Sequence, residues 1–424
     1  MNPFPTPQTH VYYAMRGSEN PGNIRSGGLC QLLKYTAFWK TRGVHFHVCM
    51  PCDTQEPPGD EEVDGVLWHR YGRGSQLGPD CLANDESLTA ALAMIRRASN
   101  AENEAHLLMP SDISSRATQI LKQARAQGIA SVLCVHMYPR PLQTWSLRAW
   151  MRNFKERRWF QPITAIHANS QVSAHAMCEL AGKPPLWAKV ILTGVDLRRF
   201  RPAATAEEKR QLRQKLGLPE DKPVLLFVGG ATARKGVDFL LDAWEELTRK
   251  HQMDSVLVLV GGDANRPGVS DQDRAEYRTF AEGFARRVKE VSEVGDVRAL
   301  DHMTNVEEYY RAADVFAFCS HQEGLPNAVL EAMASGLPVL STRFLGFPHE
   351  GGEFGYEGQH FISLDRKIGT WADALCQMLA DPVKQAGIGQ AARRWMESNQ
   401  SLDVITAQSA EFFHGLARSL RNGE

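Results

Sequence analysis

Two glutamates separated by seven residues carry the clearest chemical signal in this 424-residue sequence. They are Glu323 and Glu331, in HQEGLPNAVLEAMASGLPVLST, residues 321–342. PNAVLEAMAS is almost wholly apolar, which predicts a buried helix with Glu331 as its one charge. A buried carboxylate needs a donor partner, and a ribose diol offers two hydroxyls. Glu323 and Gly324 form a tight turn after a buried strand that ends near Cys319. There Glu323 can face a ligand at the strand's carboxyl end. Pro326 suits the first helical position. Gly336 ends the helix, and Pro338 opens the next strand. The stretch holding Gly324, Leu325, Asn327 and Ala328 supplies backbone amides at the helix start, which suit an oxygen-rich, anionic ligand. A plainer reading also fits the pair, with Glu331 bound to a neighbouring arginine and Glu323 solvated.

A second constellation lies in FVGGATARKGVDFLLDAW, residues 227–244. A strand runs into a glycine-rich loop containing Gly230, then Arg234 and Lys235, then a helix. Cations at a helix N-terminus oppose its dipole. A bound diphosphate resolves the conflict, neutralised by both cations while the glycines let it approach the backbone. The plain alternative is two solvated cations.

The remaining candidates lie in the first half. His136, in SVLCVHMYP, ends a strand and so points to the ligand end of its sheet. Gly27 and Gly28 precede the first helix, with Arg25 just before them. Residues 145–160, WSLRAWMRNFKERRWF, place Leu147, Trp150, Met151 and Phe154 at helical spacing among arginines and a lysine. That pattern fits either an anionic membrane surface or a soluble helix packed on its apolar side. Cys49 and Cys52 form a lone CxxC. A zinc site needs four ligands, and no second pair of similar spacing exists, so both read as free thiols and no metal is expected.

Elements that position these residues alternate along the chain. HVYYA, VHFHVCMP, AHLLMP and IASVLCVHMY read as strands, with helices such as CQLLKYTAFWKTRG and SRATQILKQARAQG between them. The pattern restarts after the polar stretch 203–222. The expected architecture is α/β, two doubly wound Rossmann-like domains facing a cleft. Residues 1–202 form the first domain, 203–222 a linker and 223–400 the second. Residues 401–424 form a final helix, available to pack back on the first domain. Charge is balanced, 48 Lys+Arg against 49 Asp+Glu, without the basic footprint of a nucleic-acid binder. The start lacks a basic segment followed by an apolar stretch, so no signal peptide is expected. No apolar run reaches the roughly 18 residues of a spanning helix. A cytoplasmic protein is the expectation, at most peripheral at the inner membrane face through 145–160.

The second half resembles the retaining glycosyltransferases of the GT-B fold, family 4. The resemblance rests on EGLPNAVLE followed by AMASGLPV, on KGVDFLLDAW, on ILTGVDLRRFRP (191–202) and on VRALDHMTNVEEYYRAADVFAFCS. It implies transfer of a sugar from a nucleotide-diphosphate sugar, UDP-linked in first place, to a glycan, lipid-linked or small-molecule acceptor. It implies no cofactor and no metal, because basic residues replace it. Carried over by position, Glu331 holds the ribose, Glu323 contacts the donor sugar and Lys235 binds the diphosphate. His136 resembles the family's histidine near the donor sugar. Gly27 and Gly28 resemble its glycine loop near the reaction centre, with Arg25 beside an anionic acceptor. Where the family usually has arginine after the first glycine of FVG, this chain has Gly230, and Arg234 is placed to supply that charge. A phosphorylase, a nucleotide-sugar epimerase or a non-catalytic sugar-nucleotide-binding scaffold share the same features.

Overall fold

The computed structural model describes residues 8–15, 27–51, 58–71, 83–98, 104–136, 151, 154, 156–261, 271–349 and 351–421. They form two compact units. Unit 1 comprises Met1–Leu192 and Leu402–Glu424, and unit 2 comprises Thr193–Ser401.

Unit 1 is built on β1 (Gln8–Ala14), β2 (Val44–Pro51), β3 (Gly59–Val63), β4 (Val66–Tyr71), β5 (Glu104–Pro110), β6 (Ala130–Val135), β7 (Ala165–Ala168) and β8 (Ala188–Val190). Their order in the sheet is β3-β4-β2-β1-β5-β6-β7-β8. Every pairing is parallel except β3 with β4. That hairpin turns on Asp64 (φ 52°) and Gly65 (φ 77°), the two left-handed residues a tight hairpin loop demands. The central strands are apolar on both faces because helices cover both. One face packs against Thr36–Lys40 and the final helix, Leu402–Arg421, through Trp39, Phe46 and Phe413. Trp39 Nε1 donates to Ser409 Oγ at 2.7 Å. The other face packs against the helices Ala83–Ala98, Ser115–Ala126 and Gln171–Ala181. The stretch expected as one helix over CQLLKYTAFWKTRG is two, Gly27–Leu33 and Thr36–Lys40. At the break Thr36 Oγ1 donates to the Leu33 carbonyl and Tyr35 turns into the core.

Unit 2 is built on β9 (Val224–Val228), β10 (Val256–Val260), β11 (Asp296–Leu300), β12 (Val315–Phe318), β13 (Val339–Thr342) and β14 (Ile362–Leu364). The order is β11-β10-β9-β12-β13-β14, all parallel. This is the Rossmann arrangement, whose strand order reverses between β9 and β12.

Residues 203–222, expected as a linker, lie within unit 2. They carry the helix Ala206–Lys215, capped by Thr205, whose hydroxyl accepts from the Glu208 amide. Arg213 is buried and donates to Asp314 Oδ2 at 2.6 Å and to the Ala312 carbonyl. Leu218 in the core, Leu212 and Leu216 packed against it, and the Arg213–Asp314 pair tie this arm down, although its composition is mostly polar.

Candidate functional site

The strand order reverses between β9 and β12, so their following loops diverge and leave a crevice at their carboxyl ends. The β9 loop is VGGATARKG and the β12 loop is CSHQEGLP. They touch at two places. His321 donates its amide to the Arg234 carbonyl at 2.8 Å. Gly236, at φ +66°, lies so close that a Cβ there would sit 2.0 Å from the Cys319 carbonyl oxygen. Only glycine fits that conformation and that approach.

The side chains converge on Glu323. Its Oε1 accepts from Arg234 Nη1 at 2.5 Å, from Lys235 Nζ at 2.7 Å and from Ser320 Oγ at 2.9 Å. Glu323 is buried, Lys235 mostly so, and Arg234 is exposed. Thr232 caps the turn Ala233–Lys235 by accepting from the Lys235 amide, and this fixes both cations. Thr342 Oγ1 holds the Ser320 carbonyl at 2.8 Å. Arg234 also donates to the Gln322 carbonyl, and the Lys235 ammonium lies 5.7 Å from the Phe318 ring centre. Two cations meet one carboxylate, so the cluster keeps an excess positive charge. A third cation, Arg366, donates to the Cys319 carbonyl at 2.5 Å and lies over the Phe239 ring.

Glu331 stands on the helix Asn327–Ala334. Tyr310, fully buried, donates its hydroxyl to Glu331 Oε2 at 3.1 Å and to the Ala328 carbonyl at 3.2 Å. Burial, then the Glu331 charge, pushes the Tyr310 phenol well above its ordinary range, so it remains a donor. Pro326, expected at the first helical position, is instead the cap in extended conformation, one place before the first helical residue, Asn327. Gly336, at φ +72°, follows the C-cap Ser335, and the Leu337 amide returns to the Ala332 carbonyl. Asn327 and Ala328 head the helix, where amides have no intrahelical acceptor. Gly324 and Leu325 are buried beside Glu323. Gly230 has no close neighbour where a Cβ would stand, the nearest atom being the Gly261 oxygen at 3.9 Å. Arg234 stands four residues after Gly230 on the same β9 loop.

In unit 1, His136 directly follows β6. Its carbonyl accepts from Asn169 Nδ2 at 3.2 Å. Its buried Nε2 has no hydrogen-bond partner among the described residues. Burial lowers the imidazole to about 4, so it is neutral at ordinary pH. Gly27 and Gly28 open the first helix. Arg25, Cys52 and most of 145–160 lie outside the described residues. Cys49 is buried in β2, where burial pushes its thiol up, away from the reactive thiolate. Among the described residues, no group of histidine, cysteine or carboxylate ligands is placed to hold a metal.

Sequence reading missed a chain of histidines near the amino ends of the unit 1 strands. His10 Nδ1 meets His47 Nε2 at 2.9 Å, His47 Nδ1 meets His69 Nε2 at 2.9 Å, and His69 Nδ1 meets Asp60 Oδ1 at 2.9 Å. The Asp60 carboxylate can only accept, so each link must carry its proton on Nδ1. Burial, then His45, lowers His10 to about 4, while burial, then His69, lowers His47 to about 2.

Residues 222–381 match the family model "Glycosyl transferases group 1". The chain is 32% identical over 227 residues to D-inositol 3-phosphate glycosyltransferase 2 of Catenulispora acidiphila, covering 53% of this chain and 50% of that protein. It is 28% identical to the D-inositol 3-phosphate glycosyltransferase of Segniliparus rotundus, covering 77% of this chain and 72% of that protein. The chain spans about half the length of the first curated relatives it matches. Among solved structures, HepE of Anabaena in complex with UDP superposes with a TM-score of 0.71 at 16% identity, over 96% of this chain and 100% of that one. Sucrose-phosphate synthase of Thermosynechococcus elongatus gives 0.71 at 21% identity, over 97% and 100%. Two Rossmann-like units with these neighbours define a protein of the GT-B glycosyltransferase fold. The match to the group 1 glycosyltransferases covers residues 222–381, which lie within unit 2.

Proposed function

We propose that the protein transfers a hexose-type sugar from a nucleotide-diphosphate sugar to a hydroxyl acceptor, with retention at the anomeric carbon. The observation that carries this reading is the cluster of Arg234 and Lys235 around Glu323, with Glu331 on the helix that follows in sequence. Lys235 and Arg234 bind the diphosphate and stabilise the charge that grows on it as the sugar leaves. The helix-start amides of Asn327 and Ala328 add donors to the same anion. Glu331 accepts from the ribose hydroxyls, its geometry fixed by Tyr310. Glu323 and neutral His136 serve at the donor sugar, with Gly27, Gly28 and Arg25 on the acceptor side. UDP is the favoured nucleotide, and a UDP-bound solved neighbour is consistent with it. The acceptor is a glycan, a lipid-linked sugar or a small polyol, in glycan or cell-surface polysaccharide synthesis.

Thermal-shift screening with UDP-, GDP- and ADP-sugars tests the donor. A specific ligand at 100 times its Kd stabilises by about 2.7 kcal/mol. Donor consumption with and without added acceptor then tests the reaction. Product formed from the donor alone, as an isomer, or only with orthophosphate, would replace transfer by epimerisation or phosphorolysis.

A further inference from the structure

The end of unit 1 at the amino ends of β6, β7 and β8 carries an apolar projection among cations. Strands β6, β7 and β8 are parallel, so their amino ends lie together. The turns entering them touch one another. Arg125 Nη1 donates to the Gln161 carbonyl at 3.2 Å, Lys183 Nζ to Gln161 Oε1 at 3.4 Å, and Arg157 Nη2 to the Glu179 carbonyl at 3.4 Å. Trp187, buried, donates its indole N–H to the Ile163 carbonyl and anchors the turn Pro185–Trp187. On that turn Leu186 is 98% exposed. A leucine held outward on a rigid turn while its neighbour Trp187 is packed inward has no role in the fold of this unit. Phe154, on the segment that leads into Arg157, is also exposed.

The three cations bond to neutral oxygens, so these contacts leave their charge uncompensated. Glu156 and Glu179 are the carboxylates on the described parts of the same segments, and against Arg125, Arg157 and Lys183 they leave a positive balance. His136, by contrast, sits at the carboxyl end of β6, so a partner at this surface does not obstruct it.

We infer that this end of unit 1 docks on an anionic lipid bilayer, with Leu186 inserted among the headgroups and Arg125, Arg157 and Lys183 against the phosphates. An apolar tip within a cationic ring matches the two sources of interfacial affinity, buried apolar area and attraction to anionic lipid. An acidic protein surface would meet the charge but leave Leu186 without an apolar environment. The inference does not depend on the proposed transfer reaction, because binding is read without substrate.

The test is co-sedimentation of the full chain with phosphatidylcholine vesicles, with and without phosphatidylglycerol. Binding is expected only with the anionic lipid, and is expected to weaken as salt rises. Lys183→Ala should weaken it roughly five-fold, the contribution of one interfacial cation. Leu186→Glu should lower it at least as much, and its unchanged thermal unfolding would show that the fold persists. Leu186→Phe should keep binding. No binding to anionic vesicles, equal binding by the Leu186→Glu variant, or binding to polyglutamate in place of vesicles would each overturn the inference.

Discussion

The two units share a parallel, doubly wound sheet and differ in what stands at the carboxyl ends of its strands. In unit 2 the β9 and β12 loops bring two cations and a carboxylate into direct contact. In unit 1 the corresponding end of β6 presents His136, held neutral by burial. The contrast separates two tasks that one fold can serve. On the proposed function, the charged crevice would hold the nucleotide diphosphate, and the neutral imidazole would approach the sugar without adding charge. Mutations of charge in unit 2 are then expected to act on donor binding, while burial in unit 1 sets the protonation of His136.

That contrast can be broken most severely at Lys235. Lys235→Ala should lower turnover by about 100- to 1,000-fold, the loss of one preorganised charge donor. Steady-state kinetics check it, and retained turnover would remove the diphosphate assignment. Gly236→Ala should act on the scaffold of the same crevice. A methyl 2.0 Å from the Cys319 oxygen, at φ +66°, forces the two loops apart. A stability loss of about 2 kcal/mol or more is expected in thermal unfolding.

The pH dependence should divide the units next. The imidazoles of His10, His47, His136 and His167 are all lowered, first by burial. Their folded values lie below the ordinary 6.5, so the unfolded chain takes up protons first as pH falls. Stability is fully present above pH 6.5 and is lost progressively toward pH 4, where His10 and His136 begin to charge. Hydrogen exchange followed across that range should show unit 1 amides losing protection before those of unit 2. Simultaneous loss in both units would contradict the assignment. The smallest effect is expected at Tyr310. Tyr310→Phe removes one hydroxyl donor from Glu331 and should cost about 1 kcal/mol of stability. It should raise the donor KM with little change in kcat, and a fall in kcat alone would separate Glu331 from ribose binding.

How much of this was legible depends on sequence distance. Glu323, Pro326, Glu331 and Gly336 lie within one short segment, where spacing alone sets the turn and the helix. Arg234 and Lys235 were readable as a cationic helix start. Their contact with Glu323 was not, since 88 and 89 positions separate the partners. Tyr310 and Arg366 carried no local signal, because only the packing of separate elements brings them to Glu331 and Cys319. The histidine chain was half visible. His45 and His47 alternate on β2 and must share a face. Their meeting with His10 and His69 needs the order β4-β2-β1, which the sequence does not give. The Asp64–Gly65 hairpin carried its own turn signature and was readable, yet alternation of strands and helices masked it. Residues 203–222 misled for a different reason, since a composition poor in large apolar residues conceals an arm held by Arg213 and Asp314.

The return of the helix Leu402–Arg421 to unit 1 has a consequence for biosynthesis. Unit 2 is continuous in the chain, whereas unit 1 is interrupted by the whole of unit 2. All of unit 2 is therefore translated before the helix that covers Trp39 and Phe46. The first 192 residues must wait on the ribosome with one face of their sheet only partly covered, by the helix Thr36–Lys40, while unit 2 can complete its core at once. Domains usually fold in order from the N-terminus. Here the second unit is the one able to finish first, and the nascent first unit is the stage most in need of a chaperone.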